Sequence, residues 1–276
     1  MNLIAEQQTL RNRESRNAWS RFADHRQRVT QLVLDSGKLG GKLCVLGAGN
    51  CNDLDLDALA HGFDEMHLVD LDSMALSFAI EQQSECLSHT SVVLHGDVDV
   101  TAVLDQLEAW DEVEAVTDDA IDACLQQATQ PVRQLPTGCD VTISICLLTQ
   151  IIECVAKSLG EDHPRFLEVV AGLRTAHLQR LLTQTASGGR TLLITDLVST
   201  DTAPQLREAS GHTLPSVLAQ LLQDKNFFTG LNPGVIHALL SQELAGLAHH
   251  VQIHAPWLWD LGPRMYAVYA ASAQRR

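Results

Sequence analysis

Two glycines and one acid set the first chemical constraint. Gly47-Ala48-Gly49 follows the short apolar run Lys42-Leu-Cys-Val-Leu46, and Asp70 ends a second such run, Met66-His-Leu-Val-Asp70, 21 residues after Gly49. A glycine turn at the end of a buried strand lets the backbone approach a ligand where a Cβ would stand in the way. A carboxylate at the end of the next strand accepts two hydrogen bonds in its charged form, which suits the vicinal hydroxyls of an adenosine ribose. The loop continues Asn50-Cys51-Asn52-Asp53-Leu54-Asp55.

The elements that must hold these residues alternate. Residues Leu3 to Leu34 read as one helix, with Trp19, Phe22, Arg26, Val29 and Leu32/Val33 on one face at helical spacing. The strand runs are 42–46, 66–70, 91–95, 140–145 and 191–195, with helical patterns between them (54–61, Ser73 to Cys86 with Ser73 as N-cap, 99–137 and 164–185). Residues 200–247 are Pro/Gly-punctuated helices, and 250–254 and 265–269 read as two strands joined by the loop 255–263. This order predicts an α/β fold: a Rossmann-like three-layer sandwich on a seven-stranded, mostly parallel sheet with its last strand antiparallel, plus an N-terminal helical extension. The expected division is 1–39 for the extension and 40–276 for the ligand-binding domain, with 200–247 a helical insertion that forms a lid or a homodimer contact.

The dinucleotide fingerprint asks for a final glycine where Asn52 stands, and for a helix start open to pyrophosphate. Asp53 and Asp55 there repel a pyrophosphate and accommodate a sulfonium and an ammonium, so the local charge favours S-adenosylmethionine over NAD. With these residues in place, the chain resembles the class I (Rossmann-like) S-adenosylmethionine-dependent methyltransferases. Val45 to Leu56 is similar to the first motif of that family, His67-Leu-Val-Asp-Leu-Asp72 to the acidic second motif, and His95-Gly-Asp97 to the motif after the third strand. Cys139 to Cys146 is similar to the fourth-strand motif. The resemblance covers about residues 40–271 and departs from the family at Cys51, where a third glycine is common.

The resemblance implies a cofactor site made by Gly47, Ala48, Gly49 and Asn50 under the amino-acid part, Asp70 on the ribose and Leu71 beside the adenine. It further implies Asp97 and Val98 at the adenine edge, and Ser144 and Cys146 near the methyl end. A methyl on a sulfonium needs mainly alignment and exclusion of water, and a general base only for poorly acidic acceptors. The resemblance therefore implies no fixed catalytic residue and leaves the acceptor open. Substrate-side candidates are Trp19, His25, Gln150 and His237. A methyltransferase acting on a small molecule or a protein side chain is the reading. A non-catalytic S-adenosylmethionine- or nucleoside-binding module and an NAD-dependent oxidoreductase are the alternatives.

Composition narrows the partners. The net charge is −15, yet six of the 19 basic residues lie between Arg11 and Arg28, and only Arg133 and Lys157 are basic between Cys44 and Asp162. An acidic body repels phosphate backbones, so nucleic acid is not expected as a partner. The basic segment is expected to dock on that body. The NPPY-type signature is also absent after the fourth strand, where Ser144-Ile-Cys-Leu147 stands. The seven cysteines (Cys44, Cys51, Cys86, Cys124, Cys139, Cys146 and Cys154) form no CxxC pair, so reduced thiols and no metal site are expected. No apolar run reaches the roughly 18 residues of a membrane span, and Met1 to Arg28 lacks the apolar core of a signal peptide, so a cytoplasmic protein without membrane partners is expected.

Overall fold

The computed structural model describes residues 3–38, 40–83, 87 and 90–276. The sheet grows from strands whose residues alternate between two apolar layers, the period of an extended chain. In β1 (Gly41–Leu46), Leu43 and Val45 face a core shared with Met66, Leu68, Val141, Ile143 and Leu192. Cys44 and Leu46 face the other core, with Val69, Leu148, Val155, Leu173 and Leu193. Both faces are apolar because helices cover both.

In chain order the other strands are β2 (Phe63–Val69), β3 (Ser91–His95), β4 (Cys139–Ile145), β5 (Thr185–Ser199), β6 (Ala248–Ile253), β7 (Trp257–Asp260) and β8 (Met265–Arg275). The sheet order is β3-β2-β1-β4-β5-β8-β6, with β7 also paired to β8. Pairs β1–β2, β1–β4, β2–β3 and β4–β5 are parallel, while β8 runs antiparallel to β5, β6 and β7. This is the expected Rossmann-like sandwich on a mostly parallel sheet with an antiparallel late strand, with one refinement. The loop expected over 255–263 contains a fourth-residue-long strand, β7, which continues the edge begun by β6. Ile253 sits opposite Ala271 and Trp257 opposite Val268, so β6 and β7 share one place in the sheet. Pro256, which has no N–H to give to a ladder, stands in the break.

The N-terminal region is not one helix. α1 (Leu3–Ser15) and α2 (Ala23–Ser36) are separated by a 3₁₀ segment, Arg16–Phe22. Ser15 Oγ donates back to the Asn12 carbonyl at 3.1 Å, the local competition by which serine ends a helix. The break lets Phe22, Val29 and Val33 pack on the sheet while α1 turns to a different surface. α3 (Leu56–Ala60) and α4 (Ser73–Gln82) follow β1 and β2. The N-cap of α4 is Asp72 rather than Ser73: its Oδ1 accepts from Met74 N and Ala75 N, both at 3.1 Å. Cys86, the expected end of that helix, lies outside the described residues.

The opposite face carries α5 (Leu104–Trp110), α6 (Asp118–Ala128), α7 (Leu147–Leu159) and α8 (Phe166–Gln184). α9 (Leu214–Gln223) and α10 (Pro233–Ala238) belong to 200–247, and their Leu214, Leu218, Leu221 and Ile236 complete the core on the α8 side. Among the described residues no helix is long and apolar enough to cross a membrane, and no cluster of three or more metal-ligating side chains is present.

Candidate functional site

The site lies where β1, β2 and β4 end, in a cavity of about 530 Å³. Its floor follows from the glycine turn. Gly47 and Gly49 have φ of +75° and +49°, a region open to glycine at little cost. Gly47 N and Ala48 N both donate to Val69 O, at 3.0 and 3.1 Å, which pins the turn across the end of β2. A Cβ on Gly47 would stand 3.1 Å from Leu147 Cβ. Asp70 closes the floor. Its Oδ2 accepts from Gly49 N at 2.8 Å and its Oδ1 from Asp72 N at 2.9 Å. Burial pushes its carboxyl up to about 6, against the pull of those two amides.

The roof is α1 and the 3₁₀ segment. Asn12, buried, sends Nδ2 to Asp72 Oδ2 at 3.2 Å, and its carbonyl accepts from Asn50 Nδ2. Asn50 Nδ2 also reaches Ser15 Oγ at 3.1 Å, and Asn52 Nδ2 donates to Ser15 O at 2.8 Å. The glycine loop is thus latched to the end of α1 by two asparagines. Further out, Glu153 on α7 accepts from Arg11 and lies 2.8 Å from Lys157, which donates to Gln7 Oε1 at 3.0 Å. The basic N-terminal segment therefore docks on the acidic body of its own chain, as expected. These outer pairs are half exposed and add little stability.

The inner end is aromatic and acidic. Phe22 meets Trp259 edge-on at 5.0 Å, and Trp259 lies 5.6 Å from Tyr266. His25, 1% exposed, stacks on Trp259 at 4.3 Å. Trp257 Nε1 donates to His25 Nδ1 at 3.1 Å, and His25 Nε2 stands 3.1 Å from Asp53 Oδ1. Cys146 follows β4 with φ +51°, a left-handed conformation costly for a residue with a Cβ. Its thiol donates to buried Asp196 at 3.4 Å. Burial pushes the Asp196 carboxyl up to about 6 and the Cys146 thiol well above its usual range.

Of the residues singled out from sequence, Gly47, Ala48, Gly49, Asn50, Asp70, Leu71, Val98, Cys146 and Gln150 line this one cavity. Five do not. Asp97, at φ +57°, turns to Ser73 Oγ at 3.4 Å, and Asp99 lines the cavity instead. Trp19 packs under the Arg26 guanidinium, 3.5 Å from its ring centre. His25 stands behind Asp53 rather than in the cavity, and His237 is exposed on α10. No residue of 200–247 lines the cavity, so the covering role expected of that segment falls to residues 4–22. Sequence reasoning did not single out Asn12, Ser15, Asp99 or Tyr266. No sequence pattern marked the first two, because the helix break that follows Ser15 was itself not visible in the sequence.

Ser144 faces the core, where His177 Nε2 lies 2.9 Å from its Oγ. Burial holds the His177 imidazole down to about 3, so it is neutral in the fold. An unfolded histidine takes a proton near 6.5, so this residue's contribution is present above that value and is lost as pH falls from 6.5 towards 3. The loss is about 1.4 kcal/mol per unit. Denaturant melts of wild type and His177→Gln at pH 7 and pH 5 should show a pH-dependent loss about 2 kcal/mol smaller in the variant. Equal losses would contradict the neutral assignment.

No family model matches the chain, and no curated protein matches it. Solved structures with a similar arrangement include an S-adenosylmethionine-dependent methyltransferase of Methanosarcina mazei. It is 8% identical, with 88% of this chain and 96% of that one covered and a TM-score of 0.48. A magnesium protoporphyrin IX methyltransferase of Synechocystis with bound SAH is 13% identical, with 91% and 84% covered and a TM-score of 0.46. At these values the fold assignment rests on the chain's own sheet order: four parallel pairs outward from β1, and an antiparallel strand placed beside β5. The fold is a Rossmann-like α/β sandwich on a mostly parallel sheet.

Proposed function

We propose that the protein is an S-adenosylmethionine-dependent methyltransferase acting on a small molecule or a protein side chain. The observation that carries this reading is the junction of the glycine turn and buried Asp70 on the floor of a roofed cavity at the strand ends. Ligands of open α/β sheets bind outside the carboxyl ends of the strands. The volume lies within the usual range for such sites, roughly 300–1,000 Å³.

The loop chemistry fits this cofactor. Asn50 Oδ1 and Asn52 Oδ1 are buried acceptors without a hydrogen-bond partner, and residues 47–55 contain no Lys or Arg. Unpaired buried acceptors are costly, and a ligand bearing an ammonium supplies the donors they lack. A pyrophosphate brings only acceptors and negative charge to the same place. In this reading Asp70 holds the ribose hydroxyls, Leu71 and Val98 flank the base, and Asn50 with Asn52 meets the amino-acid end. The bound cofactor supplies an electrophilic methyl on a sulfonium that departs as a neutral thioether. The protein's own work is to orient the acceptor and exclude water, which the roof does.

Isothermal titration with S-adenosylmethionine, S-adenosylhomocysteine and NAD tests the reading. Micromolar binding of the first two and none of NAD is expected. NAD binding in their place would assign an oxidoreductase. Folded protein that binds neither adenosyl ligand would remove the methyltransferase reading.

A further inference from the structure

We propose that the inner end of the cavity is an acceptor subsite for a small molecule carrying a protonated amine on an apolar, aromatic body, selected by Asp53. This rests on the methyltransferase reading and narrows it to a substrate class.

Asp53 lines the cavity with a side chain 21% exposed, while its Oδ1 lies 3.1 Å from a group outside the cavity. That group, His25, is wholly enclosed by protein. Trp257 donates to its Nδ1, so the neutral ring carries its proton on Nε2, facing Asp53. The imidazole stands against the carboxylate from outside the cavity, with Nε2 at 3.1 Å from Oδ1. Arg26, whose charge reaches Asp53, is already committed: it stacks on Trp19 and donates to the carbonyls of Trp19 and Asn52, each at 3.0 Å, and Arg21, which lines the cavity, donates to Leu261 O at 3.3 Å. A second carboxylate, Asp196, sits buried close by, and the upward shifts of Asp196 and Cys146 both include the charge of Asp53. Among the described residues no Lys or Arg forms an ion pair with Asp53, so its carboxylate borders the cavity without a matched Lys or Arg.

The walls add shape. Phe22, Trp259 and Tyr266 form a continuous aromatic surface beside this charge. Aromatic faces attract both flat apolar bodies and cations, and an ammonium between a carboxylate and such faces is favoured twice. An anionic acceptor meets the Asp53 carboxylate here, and a neutral alcohol leaves that charge unmatched. The cavity volume, shared with a cofactor and covered by the 3₁₀ segment, leaves room for a small molecule and not for a folded macromolecule. An ammonium also has no lone pair, so a nitrogen acceptor must release a proton before it can attack, and the Asp53 carboxylate is the group placed to take it.

The probes are phenethylamine, 2-phenylethanol and 3-phenylpropionate, titrated at pH 7.5 into protein saturated with S-adenosylhomocysteine. Tryptophan fluorescence and calorimetry are the readouts. Phenethylamine should bind at least tenfold more tightly than either of the others. Asp53→Asn should remove that preference while changing the affinity for S-adenosylhomocysteine by less than about threefold. His25→Gln should weaken the preference and His25→Asn should weaken it further. Equal binding of the three probes, or a preference that survives in Asp53→Asn, would overturn the proposal. So would a loss of S-adenosylhomocysteine affinity as large as the loss of amine affinity, which would assign Asp53 to the cofactor end. Failure of the wild type to bind S-adenosylhomocysteine at all is the separate outcome that removes the underlying reading.

Discussion

Asp70→Ala should lose more than 100-fold in affinity for S-adenosylhomocysteine while folding with nearly unchanged stability. The two effects separate because the carboxylate is a burden on the fold. At pH 7 it is ionised although burial has raised it to about 6 from its ordinary value of 3.8, a cost of about 3 kcal/mol. Its removal leaves Gly49 N–H and Asp72 N–H without acceptors, which costs about 1–3 kcal/mol each. The terms oppose each other, and the net change should stay within about 2 kcal/mol. Binding has no such compensation. Two hydroxyl donors to a charged acceptor contribute about 1.5–3 kcal/mol each, and 1.4 kcal/mol is tenfold.

The pH dependence follows with a definite sign. Only the anion accepts both hydroxyls, so binding drives a proton off Asp70. Affinity should rise with pH from 5 through about 6 and level off by pH 7, and Asp70→Ala should be flat over that range. Calorimetry in buffers of different ionisation enthalpy would show the released proton. A slope that persists in the variant would assign it to another group.

Deleting residues 1–15 should weaken S-adenosylhomocysteine binding at least 30-fold, mostly through faster dissociation. α1 supplies the Asn12 and Ser15 contacts that hold the glycine loop, and with the 3₁₀ segment it covers the cavity. The remaining chain keeps Phe22, Val29 and Val33, which pack on the sheet, so circular dichroism should show it folded. The paired substitution Asn12→Ala/Ser15→Ala should reproduce about a third of the free-energy loss without removing the helix. Stopped-flow displacement separates the two rates, and an unchanged dissociation rate in the truncated protein would show that α1 is not a cover.

The legible part of this molecule is what period and punctuation encode. β1, the glycine turn, β2 and Asp70 stand where the apolar run, the two glycines and the acid predicted them, because a buried strand and a tight turn leave few alternatives. The helix break at Arg16–Phe22 was not legible. Every residue there tolerates a helix, and the break is set by the need to cover two surfaces at an angle. Asp97 and Asp99 are alike in type and lie two residues apart. A positive φ at Asp97 decides which of them reaches the cavity, and that follows from the path of the chain after β3. His25 was singled out without its role. Its partners Asp53 and Trp257 are 28 and 232 residues away in sequence, and no local pattern joins them. β7 was hidden because two tryptophans in a short Pro/Gly-flanked segment read equally well as loop packing.

The position of β8 fixes the order in which this protein can be assembled. β8 follows every other strand in the chain, yet it lies inside the sheet, between β5 on one side and β6 and β7 on the other. A ribosome must therefore release residue 275 before three strands have their partner. Meanwhile the apolar edge of β5 waits, with Leu192, Leu193 and Ile194 in its ladder to residues 270–272. The early residues wait as well: Arg21 bonds to Leu261 and His25 to Trp257, contacts that span more than 230 positions. Non-local pairings of this kind fold slowly and expose aggregation-prone surface while they do so. A nascent chain halted short of β8 is thus a chaperone client, and a stop codon near residue 260 removes the strand that joins β6 and β7 to β5.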